Sequence, residues 1–253
     1  MLIALLTDFG YKDGFVGTVK GVIKSINPSA DIVDISHDVS SFNIVEGALI
    51  LKASFRYFPV GTIFTVVVDP GVGTNRKPII VKTKNYFFVA PDNGVLSFAL
   101  EEEKVEKIIH ITNRNFILKI DNNTFHGRDI FAPVSAYLSK GTDINEFGEE
   151  LSSYTRLEFP KPRKSKNKIE GQILFFDKFG NGITNIKDIK SFKSGYVKDI
   201  PIRKLINAFL EGEKENLNLI KGSFGFYEVV VPLGNAREKF KLKEGDKVVI
   251  YET

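Results

Sequence analysis

The sequence predicts an α/β N-terminal domain with a largely parallel sheet, followed by a smaller all-β, barrel-like domain. Three observations predict it. Short apolar, β-branched runs alternate with amphipathic helical stretches from Leu2 to about Tyr154. A basic, proline-containing stretch breaks that rhythm between Thr155 and Lys168. Beyond it, strand-like runs dominate, separated by turns rich in Gly and Asn. Strands alternating with helices favour crossover connections and parallel pairing, whereas successive short strands favour a barrel or closed sandwich. The expected boundaries are 1–155 for the α/β domain, 156–168 for the linker and 169–253 for the β domain. At 253 residues the chain is long for one domain and comfortable for two.

Taken in order, Leu2–Thr7 reads as a buried strand. Gly14–Asn27 sets Phe15, Val19, Val22, Ile23 and Ile26 at helical spacing, and Pro28 stops that helix. Asp31–Ser36 is a second strand and Val45–Phe58 a second helix, ended by Pro59. Thr62–Val68 is a third, strongly β-branched strand, bounded by Asp69-Pro70-Gly71. Pro78–Lys82 and Tyr86–Ala90 predict a hairpin across Lys84-Asn85. Asn93–Leu100 reads as a short helix, Val105–Ile111 as a strand, and Ile130–Ser139 as a helix with Asp129 as its N-cap. In the C-terminal part, Ile169–Phe176, Phe226–Pro232 and Lys247–Tyr251 read as strands and Leu205–Leu210 as a brief helix.

Composition narrows the chemistry. With 43% hydrophobic and 26% charged residues, collagen-like, low-complexity and disordered chains are excluded. The absence of cysteine excludes disulfides, thiolate metal sites and cysteine nucleophiles, leaving oxygen, imidazole, guanidinium and amine groups. The net charge of +4 is mild, and the basic 155–168 stretch reads as a solvated strap, so no nucleic-acid partner is expected. Met1–Asp8 lacks a basic n-region, and nowhere do 18 apolar residues run together. The expectation is a soluble, cytoplasmic protein with no membrane partner.

In an open α/β sheet, ligands bind beyond the carboxyl ends of the strands. Four predicted strands end in polar clusters: Thr7-Asp8-Phe9-Gly10 with Asp13; Ser36-His37-Asp38; Asp69-Pro70-Gly71-Val72-Gly73 with Arg76; and Ala90-Pro91-Asp92-Asn93-Gly94. Each has a plainer explanation. Asp8 and Asp13 suit turns and caps, His37-Asp38 a polar loop, and both Asp69-Pro70 and Asp92-Asn93-Gly94 are turn chemistry. Gly71-Val72-Gly73 is not a dinucleotide fingerprint, because it follows the third strand and lacks the third glycine. Four acidic ends on one rim nevertheless exceed what turns demand. Two enzymatic readings follow from the residues alone. One is a carboxylate-rich metal-dependent hydrolase using Asp8, Asp13, His37 and Asp38. The other is a metal-free enzyme for a nucleoside-like substrate, with Asp69, Arg76 and His126 handling the chemistry.

The ordered series of these motifs, continued by Phe125-His126-Gly127-Arg128-Asp129, Asp177-Lys178-Phe179-Gly180-Asn181 and Ser223-Phe224-Gly225 with Glu228, resembles one family over nearly the whole chain. It is the S-adenosyl-L-methionine hydrolases (adenosine-forming), or SAM hydroxide adenosyltransferases, relatives of the fluorinating and chlorinating enzymes. The resemblance implies an α/β domain, a C-terminal β-barrel, and a homotrimer with active sites between one subunit's N-domain and its neighbour's C-domain. It implies hydrolysis of S-adenosyl-L-methionine to adenosine and L-methionine without a cofactor, with a non-catalytic adenosine- or S-adenosylmethionine-binding protein as the alternative. By the same resemblance Asp69, Arg76 and His126 form the catalytic triad, Asp8 binds the ribose hydroxyls and Phe42 flanks the ribose. Asp13 and Asp177 hold the methionine ammonium, Ser223 its carboxylate, and Asn181 the adenine. The sequence departs from the halogenating members at Phe224, where they carry arginine, and Gly222 stands where many members carry asparagine.

Overall fold

Ile3, Ala4, Leu5 and Leu6 are all fully buried, which explains why this stretch is continuously apolar. They belong to β1 (Leu2–Thr7), an interior strand of the N-terminal sheet. Alternation sends Ile3 and Leu5 into one core with Val19, Ile23 and Val134. Ala4 and Leu6 enter a second core with Leu51, Phe55 and Leu100. Helices therefore cover both faces of the sheet: α1 (Phe15–Ile26) and α4 (Ala132–Ser139) on one side, α2 (Ile44–Ser54) and α3 (Ser97–Leu100) on the other.

The computed structural model describes residues 1–119 and 122–253. It divides into two compact units, Met1–Leu157 and Glu158–Thr253. In the first, β2 (Asp31–Ser36), β3 (Ile63–Val67), β4 (Pro78–Thr83), β5 (Phe87–Pro91), β6 (Val105–Ile111) and β7 (Gly148–Glu150) join β1 in the order β2-β1-β3-β5-β4-β6-β7. Pairings β1–β2, β1–β3 and β3–β5 are parallel, and β4 runs antiparallel to both β5 and β6. The predicted α/β sheet and the β4–β5 hairpin are thus both present.

Several boundaries differ from expectation. The second helix keeps α-geometry only to Ser54 and ends in a 3₁₀ turn, Phe55–Tyr57; it begins where the Asn43 side chain accepts Glu46 N–H. The expected helix from Asn93 shrinks to Ser97–Leu100, because Asn93 instead bridges Val68 O and Val95 N. Asp129 is not an N-cap. It lies inside a π-helical turn, Gly127–Phe131, that precedes α4, is 1% exposed, and is paired with Arg128.

The second unit comprises β8 (Arg163–Ser165), β9 (Lys168–Phe176), β10 (Gly182–Thr184), β11 (Ser194–Val197), β12 (Ile200–Ile206), β13 (Leu217–Lys221), β14 (Tyr227–Val230), α5 (Ala236–Phe240) and β15 (Lys247–Tyr251). The ladder runs β10-β14-β13-β12-β11-β15-β9, and β9 pairs again with β10, closing a seven-stranded barrel. Closure removes the exposed edges that a short-stranded sheet would otherwise present. It also overrides the helix expected at Leu205–Leu210: Leu205 and Ile206 pair with Leu219 and Ile220, and a 3₁₀ turn follows at Phe209–Glu211. The basic stretch supplies β8, which pairs with β9 only, so Arg163 and Lys164 lie on a free edge.

Phe64 anchors the second core, stacked on Phe88 at 5.2 Å and edge-on to Phe55, Phe58 and Tyr86. Phe64→Ala is expected to lower the unfolding free energy of the N-terminal unit by about 3–5 kcal/mol. Urea denaturation followed by circular dichroism measures this; a loss below ~1 kcal/mol would contradict the packing described.

Candidate active site

Because β1, β2, β3 and β5 run parallel, their carboxyl ends share one edge of the sheet. The register Thr7↔Val67 brings the residues after β1 and β3 side by side, and Asp8 and Asp69 are close enough to interact electrostatically. After Asp69 the chain folds back through turns closed by Val72 N–H to Asp69 O and Thr74 N–H to Gly71 O. This return delivers Arg76 onto the carboxylate. Its Nε lies 2.9 Å from both Asp69 oxygens, and Nη2 donates to Oδ2 as well. Nη2 also lies 2.8 Å from His126 Nδ1. The three side chains named from sequence, separated by 7 and 50 residues, are in mutual contact in the order Asp69–Arg76–His126.

This contact fixes the imidazole. A guanidinium has only N–H donors, so His126 Nδ1 must be the acceptor and Nε2 carries the hydrogen. Burial pushes the His126 pKa below its ordinary value, and the Arg76 cation lowers it further. Among the described residues, Arg76 Nη1 and His126 Nε2 are buried and have no hydrogen-bond partner. An unsatisfied buried donor costs about 1–3 kcal/mol, so each of these groups is prepared for an acceptor.

A cleft of about 220 Å³ is lined by Asp8, Phe42, Asp69, Phe125 and His126, among others. Asp8 Oδ2 accepts Phe42 N–H at 2.9 Å. Burial raises the Asp8 pKa, while that N–H and its own backbone N–H pull it back. Phe42 takes φ +67°, a left-handed conformation that is uncommon for a bulky residue, and presents a ring 68% exposed at the cleft.

Other sequence candidates go elsewhere. Asp13 is exposed before α1 and does not line this cleft. His37 is buried, with Nδ1 2.7 Å from Thr7 Oγ1 and Nε2 3.1 Å from Asp34, which also takes Lys20 and Tyr11. Asp38 is exposed. Among the described residues no three His, Asp or Glu side chains converge into a ligand set, so the Asp8, Asp13, His37, Asp38 metal site is not assembled. Asp92 accepts Thr155 N–H and serves the architecture of its loop.

Asp177, Asn181 and Ser223 line a second cavity of about 850 Å³ in the C-terminal unit. The β9–β10 turn wraps around Asp177. Oδ1 accepts N–H from Phe179 and Asn181, and Oδ2 accepts from the Asn181 amide. Sequence reasoning gave no role to Glu228, yet it lines the same cavity. The available signal was a lone carboxylate in the otherwise apolar run Tyr227-Glu228-Val229-Val230.

Residues 3–148 match the SAM hydroxide adenosyltransferase N-terminal domain, and residues 171–249 match the C-terminal domain of the same name. The chain belongs to the SAM hydroxide adenosyltransferase family. It is 35% identical to an (R)-S-adenosyl-L-methionine hydrolase of Methanocaldococcus jannaschii, covering 98% of this chain and 95% of that one. It is 31% identical to the (R)-S-adenosyl-L-methionine hydrolase of Thermus thermophilus, with 96% of each covered. The crystal structure of an uncharacterized conserved protein from Thermotoga maritima superposes with a TM-score of 0.89 at 41% identity, over 99% of this chain and 100% of the other.

For this SAM hydroxide adenosyltransferase family member, the Arg76–His126 contact makes a spectroscopic prediction. Nitrogen NMR should find His126 as the Nε2–H tautomer, neutral until the pH falls below the ordinary imidazole value of about 6.5. Arg76→Met removes a nearby cation and should move that titration upward. A titration that stays put would refute the contact.

Proposed function

We propose that this chain hydrolyses S-adenosyl-L-methionine by in-line attack of hydroxide on C5′, giving adenosine and L-methionine. The observation that carries the reading is the Asp69–Arg76–His126 contact with its two unpartnered buried donors. What this arrangement offers a guest is N–H rather than a lone pair. It therefore suits an oxygen anion, and it stabilises hydroxide relative to water. Asp69 neutralises and aims the guanidinium, and His126, neutral, supplies the second donor.

The leaving group departs as a neutral thioether, so no acid is required to protonate it. The step forms a C5′–O bond as the C5′–S bond breaks, and the sulfur keeps the bonding pair. Starting from water, one proton is released. Hydroxide and sulfonium lose their charges together, and a desolvated cleft favours that loss over bulk water.

In this reading Asp8, with Oδ1 left over after the Phe42 bond, holds the ribose hydroxyls, and the Phe42 ring flanks the sugar. Asp13 and Asp177 hold the ammonium, Ser223 the carboxylate and Asn181 the adenine. S-adenosyl-L-methionine is the substrate, and the scheme uses no further cofactor. We place the enzyme in the cytoplasm; no helix among the described residues is long and apolar enough to cross a membrane.

Incubation with S-adenosyl-L-methionine in the presence of EDTA should yield adenosine and methionine by chromatography, and oxygen-18 from water should enter the 5′-hydroxyl. Asp69→Ala, Arg76→Ala and His126→Ala should each lower kcat by about 10²–10⁴-fold with substrate binding retained. Absence of both products, or label elsewhere, rejects the reaction.

We further propose a homotrimer whose active sites pair one subunit's N-domain cleft with its neighbour's C-domain cavity. Chains carrying Asp69→Ala and Asn181→Ala, each impaired alone, should regain turnover when refolded together, and light scattering should report three subunits. No regain on mixing would place each site within one chain.

A further inference from the structure

Glu228 is the least expected side chain in the barrel. It sits mid-strand in β14, opposite Ile183 of β10 and Ile220 of β13. Its neighbours Tyr227 and Val229 point into the barrel core, so alternation turns Glu228 to the opposite face, where the cavity lies. It is 5% exposed, and among the described residues nothing donates a hydrogen bond to its carboxyl. Its carboxyl opens on the cavity, where a ligand would complete its hydrogen bonding.

Room for the carboxyl comes from Gly222, on the stretch leading out of β13. A Cβ at that position would fall on the Glu228 carboxyl group. The glycine and the glutamate are thus one device: the first vacates the space into which the second reaches. Around it the cavity is mostly apolar, with Phe179, Phe209, Phe224 and Leu233 among its walls. Within this cavity Asp177 and Ser223 are already given to the amino-acid tail, and apolar and aromatic walls with a directional carboxyl suit a flat heteroaromatic base.

We propose that Glu228, seated against Gly222, determines specificity for the aminopurine end of the substrate by pairing, as a neutral carboxylic acid, with adjacent amino and ring-nitrogen positions of the base. This rests on the S-adenosyl-L-methionine reading above. A carboxylic acid carries a donor and an acceptor side by side, matching an amino N–H next to a ring nitrogen, as the amide of Gln does with adenine. The carboxylate has acceptors alone and makes half of that pair.

The environment favours the neutral form. Burial pushes the Glu228 carboxyl up to about 7, and the Asp177 carboxylate adds to the rise. Asp177 faces it from the β9–β10 turn. Lys221, at the end of β13, points its ammonium toward Asp188 and the Tyr227 ring, and Arg237 of α5 lies over Phe176.

Adenosine and L-methionine, the two products, serve as separate probes in calorimetry on the full chain. Adenosine should bind wild type about tenfold more weakly at pH 8 than at pH 6, because the competent neutral fraction falls across that range. Glu228→Gln should bind within a few-fold of wild type at pH 6 and show no pH dependence. Glu228→Ala should lose about tenfold in adenosine affinity, the worth of one to two hydrogen bonds. L-methionine affinity should not change in either variant. Gly222→Ala should weaken adenosine as Glu228→Ala does, and the double variant no further, since both remove one contact.

The inference is overturned if Glu228→Gln is as weak as Glu228→Ala, if wild-type binding is flat with pH, if the Gly222 and Glu228 losses add, or if methionine binding falls instead. Adenosine binding that behaves as described without turnover of S-adenosyl-L-methionine would sink the proposed reaction and leave this inference standing. Turnover with adenosine binding indifferent to Glu228 would do the reverse.

Discussion

A buried guanidinium governs the N-terminal cleft. Arg76 cannot shed its proton and cannot accept a hydrogen bond, so every neighbour must adapt to it. Its side chain is 9% exposed and that of Asp69 5%, so the pair is held largely away from water. A cation this secluded is costly without a counter-charge, and the two-pronged contact with Asp69 supplies one. His126 must then present a lone pair at Nδ1, which assigns the hydrogen to Nε2. The tautomer follows from one residue that is unable to change its charge, and its cation adds to the lowering of His126 basicity that burial begins.

The same restriction bears on the chemistry. Groups with nothing but N–H to offer are suited to oxygen that is negative or becoming so, and poorly suited to pulling a proton from water. The cleft is thus organised around stabilising an anion in place, while Asp69 keeps the local charge balanced. The fixed dipoles need no reorganisation when hydroxide and sulfonium annihilate, and in a desolvated site this is where most of the advantage over solution lies.

Much of the first unit was legible because its sheet is buried on both faces. Leu2–Thr7 coincides with β1, since a doubly covered strand must be apolar throughout, and Asp31–Ser36 and Val105–Ile111 coincide with β2 and β6 although both are only partly buried. The barrel was less legible. β10 has three residues and β11 four, too few to show a period, and closure recruited Leu205 and Ile206 against their helical look. Asp129 misled because an aspartate ahead of an apolar run resembles a cap, whereas the wider π turn draws it inward to Arg128. At the site, Asp69, Arg76 and His126 were visible as polar strand-end and loop motifs, but their contact depends on the turn at Gly71–Thr74, which no periodicity encodes. Glu228 went without a role because its significance lies in the absence of a side chain at Gly222, a relation across two strands.

Asp8 and Glu228 show what separates a carboxylate from a carboxylic acid in this fold. Burial raises both. Asp8 stands where a chain turns, and two backbone N–H groups, its own and that of Phe42, counter the burial in favour of the ionised form. Glu228 stands mid-strand between β10 and β13, and no backbone N–H opposes the effect of its burial. Asp177, in turn, monopolises the donors of its own loop. The division therefore follows the backbone: the loop carboxyl of Asp8 inherits N–H groups that oppose the effect of burial, whereas the strand carboxyl of Glu228 has none and is pushed up to about 7. A substrate carrying hydroxyls at one end and a base edge at the other calls for that difference, an acceptor for the first and a mixed donor and acceptor for the second.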